Sequence, residues 1–154
     1  VAGEAPFDRW IMGDENAIAP EAKRGFALFN GKAHCSSCHS GPSFTDGSFQ
    51  DIGSATGDDI GRGRLFPNSE KLQYAFKTPT LRDVAERGPY MHDGSVATLE
   101  GVIELYNKGG IDRPSRSPSI KPLSLNAAEK AELIAFLKTL SAPSIEASSP
   151  NLAK

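Results

Sequence analysis

Residues 33–41 read AHCSSCHSG and hold both cysteines of the chain and two of its three histidines. Two thiols at this spacing, with a histidine directly after the second, can serve a redox disulfide, a structural zinc ion or a covalently attached haem. A redox disulfide would sit at a strand-to-helix junction in an alternating β-α pattern, and no such pattern flanks Cys35. Zinc would take Cys35 and Cys38 with two more ligands, for which His39 and His92 are available, but a second paired spacing is missing. Haem needs nothing more than the motif supplies. The two thiols reach the two vinyl groups of one porphyrin, and His39 turns a ring nitrogen onto the iron from the same side. Cys35-Ser36-Ser37-Cys38-His39 is therefore read as the attachment site of one haem c.

Helices must present this motif. APEAKRGFALFNGKA predicts a helix that opens at Pro20, buries Phe26, Leu28 and Phe29, stops near Gly31 and feeds the chain into Cys35. FKTPTLRDVAERG predicts a short helix with Thr78 as N-cap, Pro79 first and Gly88 as the stop. TLEGVIELYNKGG predicts another, capped by Thr98 and stopped by Gly109, with Leu99, Val102, Ile103 and Tyr106 on one face. In the last, Asn126 and Glu129 form a capping box, and Leu133, Ile134, Phe136, Leu137 and Leu140 make the buried stripe. Residues 40–74 lack periodicity and read as a long loop centred on GDDIGRGR. IDRPSRSPSIKP reads as a connector, and no strand pair is expected. The fold class is all-α, a cytochrome c-like domain of a few helices and long loops around one haem. Its expected divisions are a leading segment 1–18, a haem domain 19–141 and a C-terminal tail 142–154.

Composition agrees with a core completed by a cofactor. The apolar fraction is only 38%, and glycine (15) and proline (11) are abundant. A net charge of −2 argues against a general nucleic-acid binder. No apolar run reaches the roughly 18 residues of a membrane span. The chain opens VAGEAPFDRW, without a methionine, which fits removal of a signal peptide or other upstream segment.

Three stretches carry a family resemblance: RGFALFNGKAHCSSCHSGPSFTD, FKTPTLRDVAERGPYMHDGSVATLEGVIELYNKGG and LNAAEKAELIAFLKTL. They resemble the C-terminal haem domain of bacterial dihaem cytochrome c peroxidases and MauG-type enzymes. The resemblance implies that Cys35 and Cys38 are thioether anchors and His39 the proximal ligand. It places the distal ligand fourteen positions after His92, at Tyr106. Peroxidases carry methionine there, whereas MauG-type members carry tyrosine. A thioether favours ferrous iron and a high potential; a tyrosine oxygen favours the ferric state. Met91 is the alternative distal ligand, and packing is the competing role for both residues. The family's second CxxCH motif has no counterpart in this sequence.

The remaining candidates lie around this set. His92 is a candidate acid/base or hydrogen-bonding group near the haem, with Glu100 and Glu104 as further acid/base candidates. Arg62, Arg64, Lys77 and Arg82 are candidates for the haem propionates, and Arg64 and Arg82 are preferred because guanidinium forks suit carboxylates. Trp10 is expected to pack, Met12 to lie in core or surface, and Asp46, Asp58 and Asp59 to shape turns. The expected function is a monohaem cytochrome that passes single electrons to or from a redox partner protein (another cytochrome, a cupredoxin or a dehydrogenase), in the periplasm. The alternatives are a peroxidase-like enzyme acting on hydrogen peroxide or through high-valent iron, and a domain or subunit of a larger dihaem oxidoreductase.

Overall fold

The computed structural model describes residues 4–143. The tail expected over 142–154 lies outside the described residues from position 144 onward. Four α-helices dominate: α1 (Pro6–Ile11), α2 (Pro20–Asn30), α3 (Leu99–Lys108) and α4 (Ala127–Lys138). The all-α expectation holds, with one addition. Two short strands, β1 (Phe49–Gln50) and β2 (Phe76–Lys77), pair antiparallel with Phe49 opposite Lys77 and Gln50 opposite Phe76.

Local chemistry sets the helix ends. Pro20 occupies the first turn of α2, where a missing N–H costs nothing. The Thr98 hydroxyl accepts the Gly101 amide to open α3, and Gly109 closes it in the left-handed conformation at φ +84°. Asn126 and Glu129 exchange reciprocal bonds at 2.9 Å to open α4.

Helices α2 and α4 cross at Gly25. A Cβ there would lie 1.9 Å from the Glu132 carbonyl oxygen, so only glycine permits this approach. Close contact lets Phe29 of α2 meet Phe136 of α4 at 5.0 Å between ring centroids. Phe7 of α1 and Phe44 join them at 5.5 and 6.1 Å from Phe136, which is fully buried. Edge-to-face aromatic packing of this kind adds to plain area burial. Trp10 meets Phe26 edge-on and packs as expected, while Met12 is exposed. Thus the leading segment contributes Phe7 to the core, where the sequence showed only a short run before Pro20.

The helix expected over FKTPTLRDVAERG does not form; only one 3-10 turn, Val84–Glu86, appears there. Thr78 instead extends the strand pair. Its amide donates to the Ser48 carbonyl at 2.8 Å, and its carbonyl accepts the Thr45 hydroxyl at 2.7 Å. These partners lie about thirty positions upstream, so long-range pairing overrides the local helix signal.

The expected connector IDRPSRSPSIKP is an anchor. Arg113 forks onto the buried Asp51 carboxylate at 2.6 and 2.7 Å, and the Ser115 hydroxyl adds a third bond at 2.7 Å. Burial opposes ionisation of Asp51, but the Arg113, Ser115 and Gly53 donors outweigh it and hold the carboxyl below its usual range. The Ser117 amide then donates to the Asp51 carbonyl, which lays the connector beside β1.

Candidate haem site

A cavity of about 390 Å³, within the size range of cofactor sites, lies between α2, α3, α4 and the loops. Cys35, Cys38, His39, Met91, His92 and Tyr106 all line it. The Cys35–Ser37 segment forms a 3-10 turn directly after α2, and the two thiols are not joined to each other. Burial raises both thiols, Cys35 to about 12, so both are protonated at neutral pH. Among the described residues, no three His, Cys, Asp or Glu side chains converge as a metal-binding group.

The His39 ring is oriented from behind. Its Nδ1 lies 2.9 Å from the Phe44 carbonyl oxygen, which can only accept; Nδ1 therefore carries the proton. Nε2 is left with its lone pair. Burial keeps the ring neutral by pushing its pKa below the usual imidazole value. A neutral imidazole held at one nitrogen by a backbone carbonyl is the arrangement of a metal-ligating histidine.

Tyr106, on α3, completes the set. Tyr74 and Tyr90 each donate their hydroxyl to a backbone carbonyl, whereas the Tyr106 hydroxyl has no partner among the described residues. Burial first, and then the neighbouring Cys35 and Cys38 sulfurs, push this phenol above its ordinary range. Tyr106 is half-buried and faces the cavity, so its hydroxyl is free to meet a group held there. Met91 lies in a tight turn with φ +71°, unusual for a residue other than glycine.

His92 stacks face-on over Phe76, centroids 3.6 Å apart, and its Nε2 is 2.5 Å from Asp59 Oδ2. Asp59 is thus a partner of a cavity-lining histidine as well as a turn residue. Glu104 is held by Lys130 at 2.9 Å, and neither it nor Glu100 lines the cavity.

The structure does not bring Arg64 or Arg82 to the cavity. Arg82 forks onto Asp8 at 2.8 and 2.9 Å and donates to the Pro42 carbonyl, tying α1 to the loop. Arg64 donates to the Asp58 carbonyl, and Arg62 lies over Phe49 and Phe66. The cations that do line the cavity are Lys77, Arg87 and Lys121. Of these, only Lys77 stood among the propionate candidates.

The helices packed around a cavity carrying CxxCH define a class, and the chain belongs to the cytochrome c family, whose pattern matches residues 22–141. Membership implies covalently bound haem c, and the residues present fit it. The chain is 54% identical over 153 residues to the methylamine utilization protein MauG of Methylorubrum extorquens, a match covering 99% of this chain and 43% of that protein. It is 36% identical to a cytochrome-c peroxidase of Denitromonas iodatirespirans, covering 91% of this chain and 45% of that one. The crystal structure of a MauG-like protein associated with microbial copper homeostasis superposes with a TM-score of 0.84 at 30% identity, over 95% of this chain and 54% of the other. The resemblance to MauG and the cytochrome c peroxidases is thereby borne out. The chain spans about half the length of the curated relatives it matches.

Proposed function

We propose that this chain holds one haem c and passes single electrons between it and a redox partner protein such as another cytochrome, a cupredoxin or a dehydrogenase. The observation that carries this reading is the convergence of both thiols, the His39 ring and the unpartnered Tyr106 phenol on one cavity. In this reading Cys35 and Cys38 would hold the porphyrin as thioethers, and His39 and Tyr106 would ligate the iron, with Met91 as the alternative to Tyr106. When bound, haem c supplies a one-electron ferric/ferrous couple. The chain sets the poise of that couple. The Phe44 carbonyl, accepting from His39 Nδ1–H, makes Nε2 a more basic donor. An oxygen ligand at Tyr106 favours the ferric state. Leu99, Ile103, Leu133 and Leu137 supply an apolar wall that excludes water. Covalent haem attachment fits an exported, periplasmic protein.

A second reading, peroxidase-like chemistry alone or as part of a larger dihaem oxidoreductase, is favoured by His92. Held by Asp59 and facing the same cavity, it could take or deliver a proton there. Stopped-flow mixing separates the two. The ferrous holoprotein is expected to deliver one electron per chain to a ferric cytochrome, while the ferric holoprotein leaves stoichiometric hydrogen peroxide unconsumed. Peroxide turnover that falls tenfold or more in His92→Gln would replace electron transfer with the enzymatic reading.

A further inference from the structure

Lys77 and Lys121 line the cavity without a carboxylate partner among the described residues, although Lys23, Lys32 and Lys130 each lie within 2.9 Å of one. Arg87, the third cation on the lining, is within 3.6 Å of Asp83. Both lysines stand on fixed backbone. Lys77 is held opposite Phe49 in the β1–β2 pair. Lys121 precedes Pro122, which packs so tightly on Gly109 that a Cβ there would lie 2.5 Å from the Pro122 nitrogen. Beyond it, the Leu123 amide donates to the Asn107 carbonyl, and the Leu125 amide to the Asn107 side chain at 2.8 Å. The connector that leads to Lys121 and the strand that carries Lys77 each border the β1 segment, the connector at Asp51–Arg116 and β2 at Phe49–Lys77. Gln50 and Ser119 add polar groups to the same cavity lining.

A porphyrin tethered through its vinyl groups at Cys35 and Cys38 directs its two propionates to the opposite edge of the ring. Lys77 and Lys121 are exposed residues at the edge of the cavity, where a cation can meet a carboxylate that leaves the apolar interior. We infer that Lys77 and Lys121 are the cations that hold the two haem propionates, an inference that rests on the haem reading above. It keeps Lys77 from the sequence-derived candidates, adds Lys121, and takes the role away from the preferred Arg64 and Arg82.

Resonance Raman spectra of the holoprotein read the propionate bending modes directly, and a redox titration reads the electrostatic consequence. Lys77→Gln and Lys121→Gln are each expected to shift a propionate band and lower the midpoint potential, because a nearby cation stabilises the reduced form. Lys138→Gln, an exposed lysine on α4 away from the cavity lining, is expected to change neither. Propionate bands identical to wild type in both single variants, with haem fully incorporated, would overturn the assignment. Unchanged bands together with slower, salt-dependent electron delivery would overturn it in favour of a docking face for an acidic partner. Failure of the haem reading itself is separately visible, as absence of covalent haem from the wild type.

Discussion

Cys35→Ala combined with Cys38→Ala is expected to leave no haem on the chain after denaturation, while each single variant retains haem through one thioether in reduced yield. The expectation follows from where the thiols sit. Both line the cavity on a turn fixed by α2, and α2 is locked against α4 at Gly25, so neither thiol can be replaced by a nearby group. Both are half-buried and held protonated rather than poised as exposed thiolates, which argues against a dithiol exchange role. Losing the cofactor also exposes a cavity bordered by Phe29, Leu133 and Leu137, so the double variant should be markedly less stable. Pyridine haemochrome assay after acid extraction, with unfolding in urea, measures both effects. Undiminished haem on the denatured double variant would rule out thioether attachment.

Asp51→Ala is expected to destabilise the holoprotein by about 3–5 kcal/mol, because it strands the Arg113 guanidinium without its carboxylate. That is a large share of the roughly 5–15 kcal/mol that holds a typical domain folded. The carboxylate is 1% exposed and accepts from Arg113, Ser115 and Gly53, while the guanidinium also lies 3.8 Å from the centre of the Tyr74 ring. The pH dependence has a definite sign. The folded-state pKa of Asp51 is depressed, so the stabilisation is complete above the unfolded carboxyl value of about 4 and is lost as pH falls through the lower folded value. The gap between wild type and Asp51→Ala in urea midpoints should therefore be full at pH 7 and narrow below about pH 4. A gap under 1 kcal/mol at pH 7, or one that widens in acid, would refute this account of the anchor.

What was legible in the sequence was local. Pro20, Thr98, Gly109 and the Asn126–Glu129 box act within a few positions of themselves, so three helices and their ends could be read in advance. The same holds for CxxCH, whose five residues carry their own geometry. What escaped depended on distant partners. Thr78 followed the strand pair rather than its helix signal, and Asp51 meets Arg113 across 62 positions. Arg82 had the right chemistry for a propionate, but Asp8, 74 positions away, takes its fork. Nothing near Arg82 in the sequence announces that partner. Lys121, in a stretch that looked like linker, lines the cavity because Gly109 and Asn107 pin the segment from behind. The Asp59–His92 pair could have been suspected only by treating every acid in a glycine-rich loop as a partner for a distant histidine.

The central proposal is that His39 and Tyr106 are the two iron ligands of one haem, and near-infrared magnetic circular dichroism tests it most directly. Ferric and ferrous spectra of wild type and Tyr106→Phe holoprotein would be compared. The account predicts an oxygen-ligated or high-spin signature in the ferric wild type that changes in Tyr106→Phe. A methionine-to-iron charge-transfer band present in wild type and unchanged in Tyr106→Phe would contradict it and make Met91 the distal ligand.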